Sequence, residues 1–348
     1  MIQQFICEKK KEHRFSFEPV LFFLDQKLFL LLRRVYDTVA SIVEYHSRGL
    51  NFQEKWRMAM SQNVLMQPTQ NEPRRGLSWL HVLFTGIVLF VVSAVVMFLT
   101  SNPNLFPTVI LIGNFLVPVV FVAFLYDHQH LSSFTPETIA RSFLVGGILG
   151  VLGASILESL LLPMLTNPNQ GLSLSGGLAV GLIEEGVKIL AVIFLARHLR
   201  RATTMDGLLL GAAVGMGFAA FESTGYAFTA FLLSQGHVGA SIAETVLRGL
   251  LTPFGHGIWT GILAAVLFRE RRHDRFRITG LVIVTYLFVS VLHGLWDGLP
   301  STIYFILPPG IHIPLVSLVI GVIGIIVFVM LYRRAVRGEI YQPPTATT

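Results

Sequence analysis

The chain has 348 residues, 53% of them hydrophobic and 13% charged, with a mean hydropathy of +0.66. An ordinary globular domain carries about 25% charged residues, so a soluble enzyme, a disordered chain and a nucleic-acid-binding module are set aside, and the lone cysteine, Cys7, excludes an intramolecular disulfide and a thiolate metal cluster. The formal net charge of +6 is read by position, because basic residues between apolar spans report orientation before they report partners.

Residues 1–76 carry scattered charges and one compact apolar stretch, 20–32, interrupted by Asp25, Gln26 and Lys27. That stretch is too short and too charged to span, and the charged run before it lacks the apolar core and small-residue cleavage site of a signal peptide. The segment is expected on the cytoplasmic side, either amphipathic along the membrane face or partly disordered, and dispensable for bond cleavage. Residues 51–76 read as a polar linker, in which Met58 and Met60 are alternative starts.

From residue 77 onward, apolar runs recur that are long enough to cross a hydrocarbon core about 30 Å thick. Eight spans are expected, at 77–100, 105–126, 143–165, 177–195, 207–233, 247–268, 278–299 and 313–332. The loops give an independent check. Arg74 and Arg75, then Arg197, Arg200 and Arg201, then the five arginines from Arg269 to Arg277, then Arg333, Arg334 and Arg337 alternate with loops that hold no Lys or Arg. This alternation puts both termini in the cytoplasm of an all-α, polytopic transmembrane bundle.

Spans one, two and eight contain no acid, Lys or Arg and read as lipid-facing or packing helices. Spans three to seven hold Glu158, Glu184, Glu185, Lys188, Glu222, Arg248, His256, His293 and Asp297. Each ionisable group near the bilayer centre costs a few kcal/mol even on the lenient insertion scale, so a functional site facing the bundle interior is the default inference. Glu184 and Glu185 stand four and three residues before Lys188, which brings the ammonium over both carboxylates on one helix face. Two adjacent carboxylates in a dry setting cannot both ionise cheaply, which suits the pair to proton transfer. Glu222 and Tyr226 share a face four residues apart, and Gly211 and Gly215 upstream allow a neighbouring helix to come close. His256 and His293 each have a polar partner four residues on, Thr260 and Asp297. At that spacing Asp297 would accept from one nitrogen of His293 and leave the other aimed at a substrate. Glu158, and Glu244 with Arg248, lack such company and read as packing or outer-mouth residues. Counted at 1.5 Å per residue from the outer span ends, Glu184, Glu222, His256 and His293 lie roughly 9–17 Å deep, in the outer half of the membrane.

Glu-Glu-x-x-Lys at Glu184, Phe-Glu-x-x-x-Tyr at Phe221, His-x-x-x-Thr at His256 and His-x-x-x-Asp at His293 resemble, in order and on four successive spans, the motifs of the PrsW family of intramembrane proteases. That family is related to the CAAX prenyl proteases and the bacteriocin-processing enzymes. The resemblance covers about residues 140–300 and implies hydrolysis of a peptide bond in a membrane-anchored protein, such as an anti-sigma factor, at the bacterial cytoplasmic membrane. It makes Glu184 the base that activates water, tuned by Glu185 and Lys188. His256 becomes the partner of that water, and His293 with Asp297 the electrophilic pair. Lys188 and Asp297 depart from the Arg and Asn usual in the CAAX pattern, and an anionic Asp297 orients His293 rather than donating to an oxyanion. On this reading residues 77–139 are two accessory spans, 140–300 the catalytic core, and 301–348 the last span with a short cytoplasmic tail.

No His-Glu-x-x-His, no Gly-x-Ser-x-Gly and no paired aspartates within spans occur, so metal-independent catalysis is expected. The alternative is a zinc held by His256, His293 and either Glu222 or Glu184, since two His and a carboxylate form a known catalytic ligand set. Two other classes stand beside the protease. A proton-coupled transporter also uses intramembrane Glu and His but shows internal repeats, which are not evident here. A catalytically inactive scaffold or sensor would tolerate substitution throughout the polar cluster.

Overall fold

The computed structural model describes residues 78–337, apart from short breaks at 129–131, 133, 166–171, 200–201, 273–274, 300–303 and 308–310. The expectations for the N-terminal segment and for the tail beyond 337 lie outside the described residues. In chain order the helices are α1 (Ser78–Thr100), α2 (Phe106–His128), α3 (Pro136–Leu165), α4 (Leu174–Ala196), α5 (Thr204–Leu233), α6 (Val238–Leu251), α7 (His256–Arg269), α8 (Gly280–Gly298) and α9 (Leu315–Val336). A short antiparallel hairpin, β1 (Tyr304–Leu307) with β2 (Ile311–Pro314), fills what was expected to be plain loop between α8 and α9.

Seven stretches among the described residues are long and apolar enough to cross a membrane, α6 and α7 counting as one. The one expected span not among these seven, the fourth, is α4, which has 23 residues and carries Glu184, Glu185 and Lys188, all buried against protein. The chain is a multi-pass helical membrane protein. For its orientation, a cysteine placed at Ser173 in a Cys7→Ser background is expected to react with a membrane-impermeant reagent from outside, and one at Thr203 is not. Labelling of the Thr203 variant alone would invert the topology.

Every residue from Met205 to Ala220 of α5 is buried, as is every residue from Gly257 to Phe268 of α7. Helices apolar on all sides belong in the interior of a bundle, and these two form its centre. They run antiparallel, and glycines set their separation. A Cβ on Gly215 would run into the His256 carbonyl oxygen and lie 2.9 Å from the Gly257 Cα, and one on Gly211 would lie 2.5 Å from the Thr260 carbonyl oxygen. The two glycines singled out in the sequence therefore let α7 approach backbone to backbone. Gly177 and Gly181 of α4 do the same against Ser290, Gly294 and Gly298 of α8. These two close seams bring the helices that carry the four motifs together. Gly215→Ala is expected to destabilise the protein by about 1–3 kcal/mol through overpacking, read as a lowered melting temperature in detergent. Gly239→Ala, where a Cβ meets nothing within 4 Å, is the control that stays near wild type.

One expected span is corrected. Instead of a continuous helix over 247–268, α6 begins at Val238 and stops at Leu251, a 3-10 turn covers Thr252–Phe254, and α7 starts at His256. Pro253 supplies no backbone N–H and its ring clashes with the carbonyl four residues back, which favours a break at this point. Such a break is tolerated at membrane depth only where protein covers it. Here α9 does so, packing Gly321 against Phe254. Counting the depth of His256 from residue 247 therefore fails. Depth is better taken from Glu184 and Glu222, about 15–17 Å from the ends of α4 and α5.

Candidate functional site

Glu184 and Glu185 sit midway along α4, with Lys188 one turn on, as their spacing requires. The Lys188 ammonium donates to Glu184 Oε2 at 3.0 Å and to Glu185 Oε1 at 2.8 Å, and it lies over the Phe218 ring at 4.1 Å from the centroid. All three are buried, Glu185 and Lys188 completely. Two acids around one ammonium leave excess negative charge in a dry interior, and α7 and α8 bring the groups that answer it.

From α8, His293 points both ring nitrogens at acids. Its Nδ1 is 3.1 Å from Glu185 Oε1, and its Nε2 is 3.5 Å from Glu184 Oε2 and 3.3 Å from Asp297 Oδ2. From the first residue of α7, His256 places Nδ1 2.8 Å from the Lys188 ammonium and 3.7 Å from Glu184 Oε2, with Nε2 3.1 Å from Glu222 Oε2. The two imidazoles meet edge to face, centroids 4.9 Å apart, and Trp259 closes the back of His293 at 4.8 Å. Each ring thus has one nitrogen held by a carboxylate, Glu185 or Glu222, and the other facing Glu184.

Several expectations change in detail. Asp297 does sit beside His293, but Glu185 holds the opposite nitrogen, so orientation of this ring is shared between two acids. Thr260 does not serve His256 four residues back; it donates to Glu185 Oε2 at 3.0 Å and fixes the buried carboxylate from its other side. Arg248, read with Glu244 as a packing or outer-mouth residue, has partners on a neighbouring helix. It donates to Glu222 Oε2 at 2.5 Å and to Ser223 Oγ at 2.8 Å, and stacks over the Tyr226 ring at 4.1 Å. Tyr226 itself is half exposed and supports Arg248 rather than reaching the histidines. An arginine inside an apolar span was the signal for this role, but its partners are on α5, and spacing along its own helix cannot reveal them.

Glu184, Glu222 and Asp297 line one side of a cavity of about 540 Å³, with Tyr226, Phe218 and, from α3, Glu158 completing its wall. Glu185 does not line it. The adjacent carboxylates therefore divide into one that faces the open space and one that is fully enclosed.

Glu184, His256 and His293 each offer a ligand atom, and the three atoms lie within 4.8 Å of one another. Tetrahedral zinc takes His and carboxylate ligands at about 2.0–2.2 Å, so ligand atoms around one ion lie roughly 3.5 Å apart, close to the separations of Glu184 Oε2 from the two rings. Metal-bound histidines commonly donate their far N–H to a carboxylate, and Glu185 and Glu222 stand in that position. The donor set fits a zinc-type ion provided that Lys188, whose ammonium lies 2.8 Å from His256 Nδ1, gives up that contact.

Residues 135–332, more than half the chain, match a family described as PrsW family intramembrane metalloprotease. The chain belongs to the PrsW family. It is also 28% identical over 185 residues to Protease PrsW of Halalkalibacterium halodurans, an alignment covering 52% of this chain and 78% of that protein. No solved structure matches it. The matched stretch begins at the start of α3 and extends through most of α9, beyond the region 140–300 in which the four motifs were recognised. A multi-pass PrsW protease family member is an intramembrane peptidase by descent, and its family description includes a metal that the sequence reading did not favour.

Proposed function

We propose that this protein hydrolyses a peptide bond of a membrane-anchored protein, such as an anti-sigma factor, in the bacterial cytoplasmic membrane, at the point where Glu184, His256 and His293 converge beside the cavity. The observation that carries the reading is the convergence itself. Three chemically active side chains from three helices meet around Glu184 Oε2, at the wall of a cavity large enough to admit a stretch of polypeptide.

Glu184, His256 and His293 would hold a zinc-type ion, which when bound supplies the positive charge that polarises water and the scissile carbonyl. Glu185 holds His293 through Nδ1 and is itself held by Lys188 and Thr260, so the ring cannot swing. Glu222 does the same for His256 and is held by Arg248. Trp259 packs against His293 and Phe218 against His256, which limits the positions the two rings can take.

A metal-free reading has one specific observation in its favour. The Lys188 ammonium already lies 3.0 Å from Glu184 and 2.8 Å from His256, supplying a fixed positive charge at the same place. Glu184 would then take the proton from water and His293 would donate to the developing oxyanion.

The test of function is a comparison of membrane-protein fragments in cells carrying the wild-type protein or Glu184→Gln. A fragment present with the first and lost with the second identifies a substrate. Identical fragment patterns, with both proteins folded and equally abundant, would sink the peptidase reading and favour the inactive scaffold.

A further inference from the structure

Glu158 belongs to none of the four motifs and has no part in the proposed chemistry, yet it reaches the same cavity as Glu184 from α3. The residue is half-buried, and its Oε1 is shielded from solvent with no hydrogen-bond partner among the described residues. Every other acid on that wall has a counterpart: Glu184 has Lys188 at 3.0 Å, Glu222 has Arg248 at 2.5 Å, and Asp297 has His293 at 3.3 Å. Among the described residues no Lys or Arg lines the cavity.

The charges around the cavity do not balance. Glu158, Glu184, Glu185, Glu222 and Asp297 face two permanent cations, Lys188 and Arg248. A divalent ion on Glu184 and the histidines would still leave one negative charge over, and among the described residues Glu158 is the acid of this group without an ion pair of its own. In a low-dielectric setting an unpaired carboxylate is costly to keep, and a cation arriving with the substrate removes that cost. A backbone N–H from the substrate would satisfy the oxygen but leave the charge. A Lys or Arg side chain does both, and its methylene stem suits the walls beside Glu158, where Val151, Ala154, Leu162 and Leu172 stand.

We infer that Glu158 is a specificity residue, whose carboxylate selects substrates with a Lys or Arg side chain next to the scissile bond by pairing with that cation inside the cavity. The inference rests on the peptidase reading of the same site and adds to it a substrate class.

It is tested on the full chain in lipid vesicles, with two sets of membrane-anchored peptides identical but for one position. One set carries a single Lys stepped through the residues flanking the cleavage point, and the other carries Met there. The wild type should cleave at least one Lys peptide about tenfold or more better in kcat/KM than its Met counterpart, chiefly through KM. Glu158→Gln keeps the size and removes the charge, and should bring that ratio to within about twofold. Should the Gln variant fail to fold, Glu158→Asp retains the charge and must retain a Lys preference. Absence of a Lys preference in the wild type overturns the inference. So does a Gln variant that leaves the ratio unchanged, or an Asp variant that loses it. Glu184→Gln, run alongside, separates the two levels of the argument: it should cleave neither set, whereas a wild type that cleaves neither set overturns the peptidase reading itself.

Discussion

Glu184→Gln is expected to lower cleavage of a membrane-anchored peptide by roughly 10²- to 10⁴-fold, because it removes a ligand of the ion or, in the metal-free reading, the general base. The substitution keeps size and an acceptor for the Lys188 ammonium, so the buried contact at 3.0 Å survives and the fold with it. What it removes is the negative charge at the meeting point of the two imidazoles. Glu185→Gln should behave differently, because Glu185 is fully buried, away from the cavity, and acts by holding His293 and Lys188. Losing such a supporting carboxylate typically costs about 10- to 100-fold in metal affinity or activity. Added metal should recover part of the loss in Glu185→Gln and none in Glu184→Gln. Equal, unrescued losses in both variants would show that the two acids share one role and that the division between cavity-facing and enclosed carboxylates has no chemical meaning.

Metal content is the second large expected effect. Active purified protein should carry about one zinc-type ion per chain by mass spectrometry, strong chelation should abolish activity, and readdition should restore it. His256→Ala and His293→Ala should each release the ion, because each removes one of the three side chains proposed to hold it. Protein that is fully active with no bound metal and indifferent to chelators would refute the ion and leave the Lys188-assisted glutamate mechanism. In that case the histidine variants should still lose activity, about a hundredfold or more for the oxyanion donor. Mutagenesis alone therefore does not discriminate, and the metal measurement does.

Much of this protein is legible one helix at a time. The spans are visible because a bilayer demands about 20 apolar residues per crossing, and the expected ranges agree with the helices to within a few residues except at α3 and α6, which start earlier, and at the break before His256. The Glu184, Glu185 and Lys188 cluster is legible because its members share one helix, where a spacing of three or four residues means contact. The two glycines of α5 are legible as a close-approach surface, though not which helix would use it.

The sequence by itself thus determined the all-α membrane architecture, the order of the motif-bearing spans and the side chains that meet within a single helix. Only the tertiary structure decided which chemistry each side chain serves. Asp297, read along α8, is the partner of His293, yet Glu185 on α4 holds the other nitrogen of that ring. Thr260, read along α7, belongs to His256, yet it bonds Glu185. Arg248 has its partners on α5, and Glu158 meets the cavity from α3. The physical reason is common to all four. Helical periodicity determines what lies above and below on one cylinder, whereas contact between cylinders depends on how closely they approach and at what rotation, which for Glu185 and His293 is set at the glycine seam of α4 with α8.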